Sequence, residues 1–227
     1  MAAPLRIVFI LYPRVTQLDF TGPYEVLSRM PGAEVIVASK DGGALVSEMG
    51  LTFTGLRALA DIAHADLILV PGGPGQTEAM LDAVFMAEVK RLGEGARYIA
   101  SVCTGSLILA GAGLLKGKRA GCHWAYRDML AMFGVTPDPA RVVRDGDVFT
   151  GGGVTAGIDI ALTIVAELAG ERAAKVIQLA LEYAPAPPFA CGRPETADAE
   201  TVAAVQQLFA RFAAERQQAL SKLAEAP

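Results

Sequence analysis

The chain has 227 residues, 52% of them hydrophobic, with a formal net charge of −4 and a mean hydropathy of +0.38. The length suits one large domain with a sizeable core, placed here over residues 1–227. Interspersed acids and bases argue against a nucleic-acid partner. No apolar run nears the roughly 18 residues needed to span a bilayer, which argues against a membrane partner.

The opening MAAPLRIVFILYP reads as a first strand over Leu5–Leu11 rather than a secretory leader, because Pro13 breaks it early. Its near-continuous apolar run suits a strand covered on both faces. Thr21-Gly22-Pro23 opens a helix, with Pro23 suited to its first turn, and Pro31-Gly32 ends it. Glu34–Ser39 is a second strand. A turn-rich excursion from Asp41 holds a short hairpin around Val46 and Leu51–Phe53. Asp66–Val70 is a buried strand stopped by Pro71-Gly72-Gly73-Pro74-Gly75, and a helix covers Asp82–Leu92. Tyr98–Val102 is the next strand, and Gly105–Ala110 starts the helix after it.

His123–Phe133 is read as a helix. Val142–Val143 and Val148–Thr150 flank the turn Asp145-Gly146, and Gly151–Gly153 lead into a helix over Thr155–Leu168. A further helix runs from Arg172 to Leu181, and Ala184–Pro188 forms a rigid link. The last helix, over about 198–223, is a C-terminal extension with Val202, Val205, Phe209 and Phe212 at helical spacing. It packs on its own sheet or covers a neighbouring subunit. This βα alternation implies an α/β fold with a doubly wound, mostly parallel sheet and helices on both faces. Ligands in such sheets bind outside the carboxyl ends of the strands, near a switch in strand order.

Three strand ends carry unusual chemistry. Cys103, in SVCTGS, sits on a tight strand-to-helix turn, the arrangement of a nucleophile elbow. The helix terminus supplies unpaired N–H groups and positive potential that favour the thiolate. A small buried cysteine filling the core is the other reading. Asp19 follows the first strand, as a helix cap or as a partner of Cys103. Two anions in contact would share one proton, as a thiolate beside a protonated acid. Gly72 and Gly73 let backbone N–H groups approach a ligand, as half of an anion hole completed by the Thr104 N–H, or simply end a strand. The Thr104 hydroxyl either orients a water or caps its own helix.

His123 is the one histidine placed to act as a base, or else a hydrogen-bonded structural side chain. Gly151–Gly153 form a loop near the site wall, and Trp124 and EYAPAPPF line a pocket or pack in the core. Three cysteines, Cys103, Cys122 and Cys191, show no paired spacing and suit reduced thiols in a cytoplasm. Cys122 and Cys191 are read as structural. With two histidines and no Cys/His cluster, no metal site is expected.

Taken together, the PGG after a strand, the elbow cysteine and the acid after the first strand resemble the ThiJ/PfpI superfamily across essentially the whole chain. LDFTGPYEVL, SVCTGSLILAGAGLL, GKRAGCHWAY, RVVRDGDVFTGGGVTAGIDIAL and LEYAPAPPF resemble its isonitrile-hydrating branch. The resemblance implies a flavodoxin-like fold, Cys103 as nucleophile, Asp19 as general acid and base, and Thr104 assisting beside the cysteine. It further implies a small-molecule isonitrile substrate, no cofactor and a homodimer. GKRAGCHW departs from the pattern, with Gly121 and Cys122 where two threonines are expected, a loss of hydroxyls that would alter pocket polarity. Glyoxalase-like or deglycase-like relatives favour glutamate where this chain has Asp19. A non-enzymatic small-molecule or redox sensor built on the same elbow is the remaining alternative.

Overall fold

A computed structural model describes residues 4–224. Strand β1 (Leu5–Leu11) is the hub, and Ile7–Leu11 are buried. It pairs in parallel with β2 (Ala33–Ser39) on one side and β5 (Leu67–Val70) on the other. β5 continues in parallel to β6 (Tyr98–Ser101), and β6 to β10 (Val148–Gly151). Two antiparallel hairpins finish the edges: β3 (Asp41–Val46) with β4 (Thr52–Ala58), and β9 (Val142–Asp145) with β10. The resulting order is β3-β4-β2-β1-β5-β6-β10-β9. The second turns at the Asp145-Gly146 signal, and the first turns between Val46 and Thr52, near the expected Val46 and Leu51–Phe53, whereas Asp41-Gly42-Gly43, read as a turn, lies within β3. A two-stranded piece, β7 (Arg119–Ala120) with β8 (Thr136–Pro137), carries no such signal.

From β1 the chain winds outward to β2, then returns to β5 on the other side, so the switch in strand order lies between β1 and β5. A crevice opens there outside the strands' carboxyl ends. The segments entering it are the ones after β1, β5 and β6.

Helix α1 spans Gln17–Leu27, four residues earlier than the Thr21-Gly22-Pro23 signal suggests. Pro23 sits inside the helix. Lacking an N–H, it leaves the Asp19 carbonyl without its i+4 donor, a loss the buried packing of Phe20, Val26 and Leu27 outweighs. Asp19 therefore stands in the first helical turn, its own N–H bonded to the Thr16 carbonyl at 3.1 Å. Short helix α2 (Gln76–Leu81) precedes α3 (Ala83–Gly95), whose N-cap Asp82 accepts from the Val84 and Phe85 N–H groups. Helix α4 (Gly105–Gly111) follows β6.

The helix expected at His123–Phe133 is instead a turn followed by a 3₁₀ segment over Arg127–Phe133, closed by Gly134 at φ 70°. Helices α5 (Ala156–Ala169) and α6 (Glu171–Ala180) match their patterns. α7 (Ala199–Ala224) does not make its main contacts with the sheet. It lies against α2 and the 3₁₀ segment, with Leu220 fully buried; the Phe212 side chain lies outside the described residues. Among the described residues no helix is long and apolar enough to cross a membrane.

Candidate active site

Cys103 sits between β6 and α4 with φ at 57°, a left-handed conformation that costs an L-residue on the order of 1–3 kcal/mol. Two bonds impose it. The Cys103 N–H donates to the Gly152 carbonyl at 2.9 Å, and the Gly105 N–H donates to the Val102 carbonyl at 3.0 Å. Ser106 Oγ donates to the Cys103 carbonyl at 3.1 Å. A Cβ on Gly105 would collide with the Val70 carbonyl, so the elbow can cross the end of β5 only with glycine there. The glycine run at the end of β10 thus lies next to the site and serves by holding the elbow through the Gly152 carbonyl.

Asp19 is fully buried and Cys103 is 6% exposed. Asp19 Oδ2 accepts the Gly72 N–H at 2.9 Å. Its Oδ1 is buried with no hydrogen-bond partner among the described residues, and the carboxyl lies close to the Cys103 thiol. Burial raises the Asp19 carboxyl to about 7 against the opposing effects of the Gly72 N–H and the nearby Cys103 thiol, and Glu48 adds to the rise. Burial, then the Asp19 charge and Cys122, pushes the Cys103 thiol well above its usual range, while the Thr104 N–H opposes.

This corrects the expectation that the helix terminus by itself governs the sulfur. Helix α4 has seven residues, and the single N–H it brings to the sulfur is outweighed by desolvation and the neighbouring acid. Burial and mutual repulsion keep the two groups from ionising together, so above about pH 7 Asp19 and Cys103 hold one proton between them.

A second correction concerns Gly72 and Gly73. Both N–H groups are occupied: Gly72 by Asp19, and Gly73 by Thr104 Oγ1 at 3.1 Å. They form a clamp on the acid and the threonine rather than an open anion hole. A Cβ on Gly72 would stand 2.5 Å from the Thr104 nitrogen and 2.8 Å from Asp19 Oδ2. Gly73, at φ 149°, passes so near Thr16 and Arg14 that no side chain fits. Thr104 is buried, and its hydroxyl reaches back to the Gly73 carbonyl over a weak 3.5 Å.

Tyr12, which carries no motif, lies beneath this cluster with its hydroxyl donating to the Pro71 carbonyl at 2.9 Å. Burial, and after it the Asp19 and Cys103 charges, hold it in the neutral form.

A cavity of about 630 Å³ opens above Cys103 and Thr104. Gly73 and Pro74, the β3–β4 turn with Glu48 and Met49, His123, Tyr126 and α7 wall it. His123 lines the cavity, in surroundings that weaken it as a base. Its Nδ1 accepts the Ala125 N–H at 3.3 Å, and burial with the nearby Arg216 charge lowers it to about 4. It stacks among Trp124, Tyr126 and Phe209.

Neither Gly121 nor Cys122 faces this cavity. The Gly121 N–H donates to Thr150 Oγ1 at 2.8 Å, and Cys122 is buried beside Ser106, its thiol pushed up to about 11 by burial. Cys191 is exposed, and the APAPPF segment lies on the surface. Among the described residues no group of three or more His, Cys, Asp or Glu side chains is placed to hold a metal ion. What the sequence leaves unmarked is the contribution of α7: Phe209 against His123 and Tyr126, and Arg216, 4% exposed, on the cavity wall.

A flavodoxin-like sheet with an elbow cysteine and a buried acid at its switch point defines a class of protein, and the comparisons agree. The chain belongs to the DJ-1/PfpI family, whose pattern it matches over residues 5–167. It is 50% identical over 198 residues to the isonitrile hydratase of Pseudomonas putida, covering 87% of each chain. A ThiJ/PfpI family protein from Pseudomonas syringae superposes with a TM-score of 0.92 at 39% identity, over 98% of this chain and 91% of that one. Drosophila melanogaster DJ-1beta superposes with a TM-score of 0.72 at 26% identity, over 80% of this chain and 100% of that one.

Proposed function

We propose that this chain is an isonitrile hydratase, a carbon–oxygen lyase that adds water to an isonitrile and releases an N-substituted formamide. The observation that carries the reading is the buried Asp19–Cys103 pair, with one carboxylate oxygen clamped by Gly72 and the other free. The half-identical hydratase supports the substrate class.

An isonitrile presents a slender terminal carbon that can both receive an electron pair and accept a proton. As the Cys103 sulfur attacks that carbon, its proton passes to Asp19 Oδ1 and from there to the same carbon. One S–C bond and one C–H bond form, leaving a neutral thioimidate, R–N=CH–S, and an Asp19 carboxylate. The carboxylate then takes a proton from water as the hydroxide adds to the carbon, and hands that proton to nitrogen. Collapse breaks the C–S bond, the hydroxyl proton returns through Asp19 to the pair, and the formamide leaves. Two protons and one oxygen enter from one water, so the pair ends as it began. Thr104, whose own O–H is only weakly engaged by Gly73, orients that water.

The reading includes a homodimer, a cytoplasmic location suited to three free cysteines, and a single domain with α7 as its extension. Sedimentation should then give one species at twice the 23.7 kDa chain mass. The activity test is formamide release from phenyl isonitrile by wild type and Cys103→Ala, with methylglyoxal as a parallel substrate. Cysteine-dependent formamide without methylglyoxal turnover is expected. No formamide from a protein whose thiol still alkylates would sink the reading in favour of a sensor.

A further inference from the structure

Arg216 is an unusual side chain for the wall of such a cavity. It comes from α7, far in sequence from the elbow, yet it borders the same space as Cys103. Its guanidinium is buried, with Nε donating to Thr77 Oγ1 at 3.2 Å and the plane lying over the Tyr126 ring at 4.1 Å. These two contacts orient the fork without neutralising it. Nη1 is buried and unpartnered, and among the described residues no carboxylate forms an ion pair with Arg216. Glu48 borders the same cavity but is exposed at its mouth. A desolvated guanidinium without an anion is costly to keep. Its rigid fork is suited to receive a carboxylate in two parallel bonds.

We propose that Arg216 is the carboxylate-recognition residue of this cavity, and that the favoured substrates are small molecules bearing a carboxylate as well as the group that Cys103 attacks. The identity of that attacked group, an isonitrile, rests on the hydratase reading; the recognition of the carboxylate does not. The cavity of about 630 Å³ holds both ends of such a molecule at once. With Thr77 and Tyr126 aiming the guanidinium, the carboxylate end sets the register that brings the reacting carbon to sulfur. A neutral isonitrile would enter but lack that anchor.

Two measurements test this. In the first, phenyl isonitrile and 4-isocyanobenzoate are compared in wild type, Arg216→Gln and Arg216→Lys. The ratio of kcat/KM for the carboxylate over the neutral substrate is expected to fall at least tenfold in Arg216→Gln, mainly through KM, and to be partly restored in Arg216→Lys. An unchanged ratio, or equal losses for both substrates, would reduce Arg216 to an anchor of α7 and overturn the proposal.

The second needs no turnover and no variant. Benzoate is expected to slow iodoacetamide alkylation of Cys103 in the wild-type protein in a saturable way, while benzamide at the same concentration does not. No difference between the two overturns the proposal. Protection by benzoate in a protein that turns over neither isonitrile upholds the carboxylate site and rejects the hydratase reading instead.

Discussion

The behaviour of the site with pH follows from one buried carboxyl. Asp19 moves from the ordinary 3.8 to about 7 on folding, first through burial. Below about pH 4 it is neutral folded and unfolded alike. Between about 4 and 7 the unfolded chain releases this proton and the folded chain keeps it, so stability falls as pH rises; above 7 the loss is constant. At about 1.4 kcal/mol per tenfold change in acidity, the full loss is on the order of 4 kcal/mol. Asp19→Asn should therefore melt above wild type at pH 8, with the gap closing below pH 4, as calorimetry would show.

The same carboxyl sets the acid limb of catalysis. The one-proton pair forms as Asp19 ionises, so kcat/KM should rise through about pH 7. It should stay level into the alkaline range, because burial and mutual repulsion hold the pair's last proton there. A profile already flat below pH 6 would contradict the shared proton. Gly72→Ala tests the clamp: its methyl would crowd Asp19 and Thr104, so turnover should drop at least a hundredfold in a protein whose circular dichroism is unchanged. Cys103 and Asp19 were legible because each residue type is chemically conspicuous at a strand end. The Gly72–Gly73 clamp was legible only as a close approach. Which group a backbone N–H meets depends on distances that no local pattern carries.

At the level of elements, the elbow was readable because β6 and α4 differ sharply in composition and the turn between them is short. The start of α1 was not, because Pro23 is a strong local signal for a first turn and tertiary packing overrides it. Nor was the 3₁₀ segment over Arg127–Phe133, whose apolar spacing is that of any short helix. Helix α7 carries a prediction of its own. It is latched by Leu220, fully buried, and joined to α6 by an exposed segment over residues 184–198. Leu220→Ala should cost about 2–5 kcal/mol of local packing. Limited proteolysis should then cut that segment faster, and KM should rise more than kcat falls. An unaltered digestion pattern would mean the helix is held elsewhere.

For the whole molecule, the alternation of strands and helices was enough to infer a doubly wound sheet, and hence a site at its switch point. Strand order, with β1 central, brings segments from about 30 to about 85 residues apart onto one crevice. The destination of α7 lay beyond the sequence, since helical spacing shows that a face is apolar and not which surface it covers. Arg216 was invisible for the same reason: an arginine in a mixed-charge helix reads as solvated until the helix is placed over a cavity.

The central claim is that Asp19 and Cys103 share the proton that reaches the substrate carbon. It is tested most directly in Asp19→Asn, with formamide release and Cys103 alkylation measured on one preparation. Loss of general acid–base transfer should lower turnover by about 10² to 10⁴, while iodoacetamide still labels Cys103. Turnover retained near the wild-type rate would remove Asp19 from the chemistry and contradict the account.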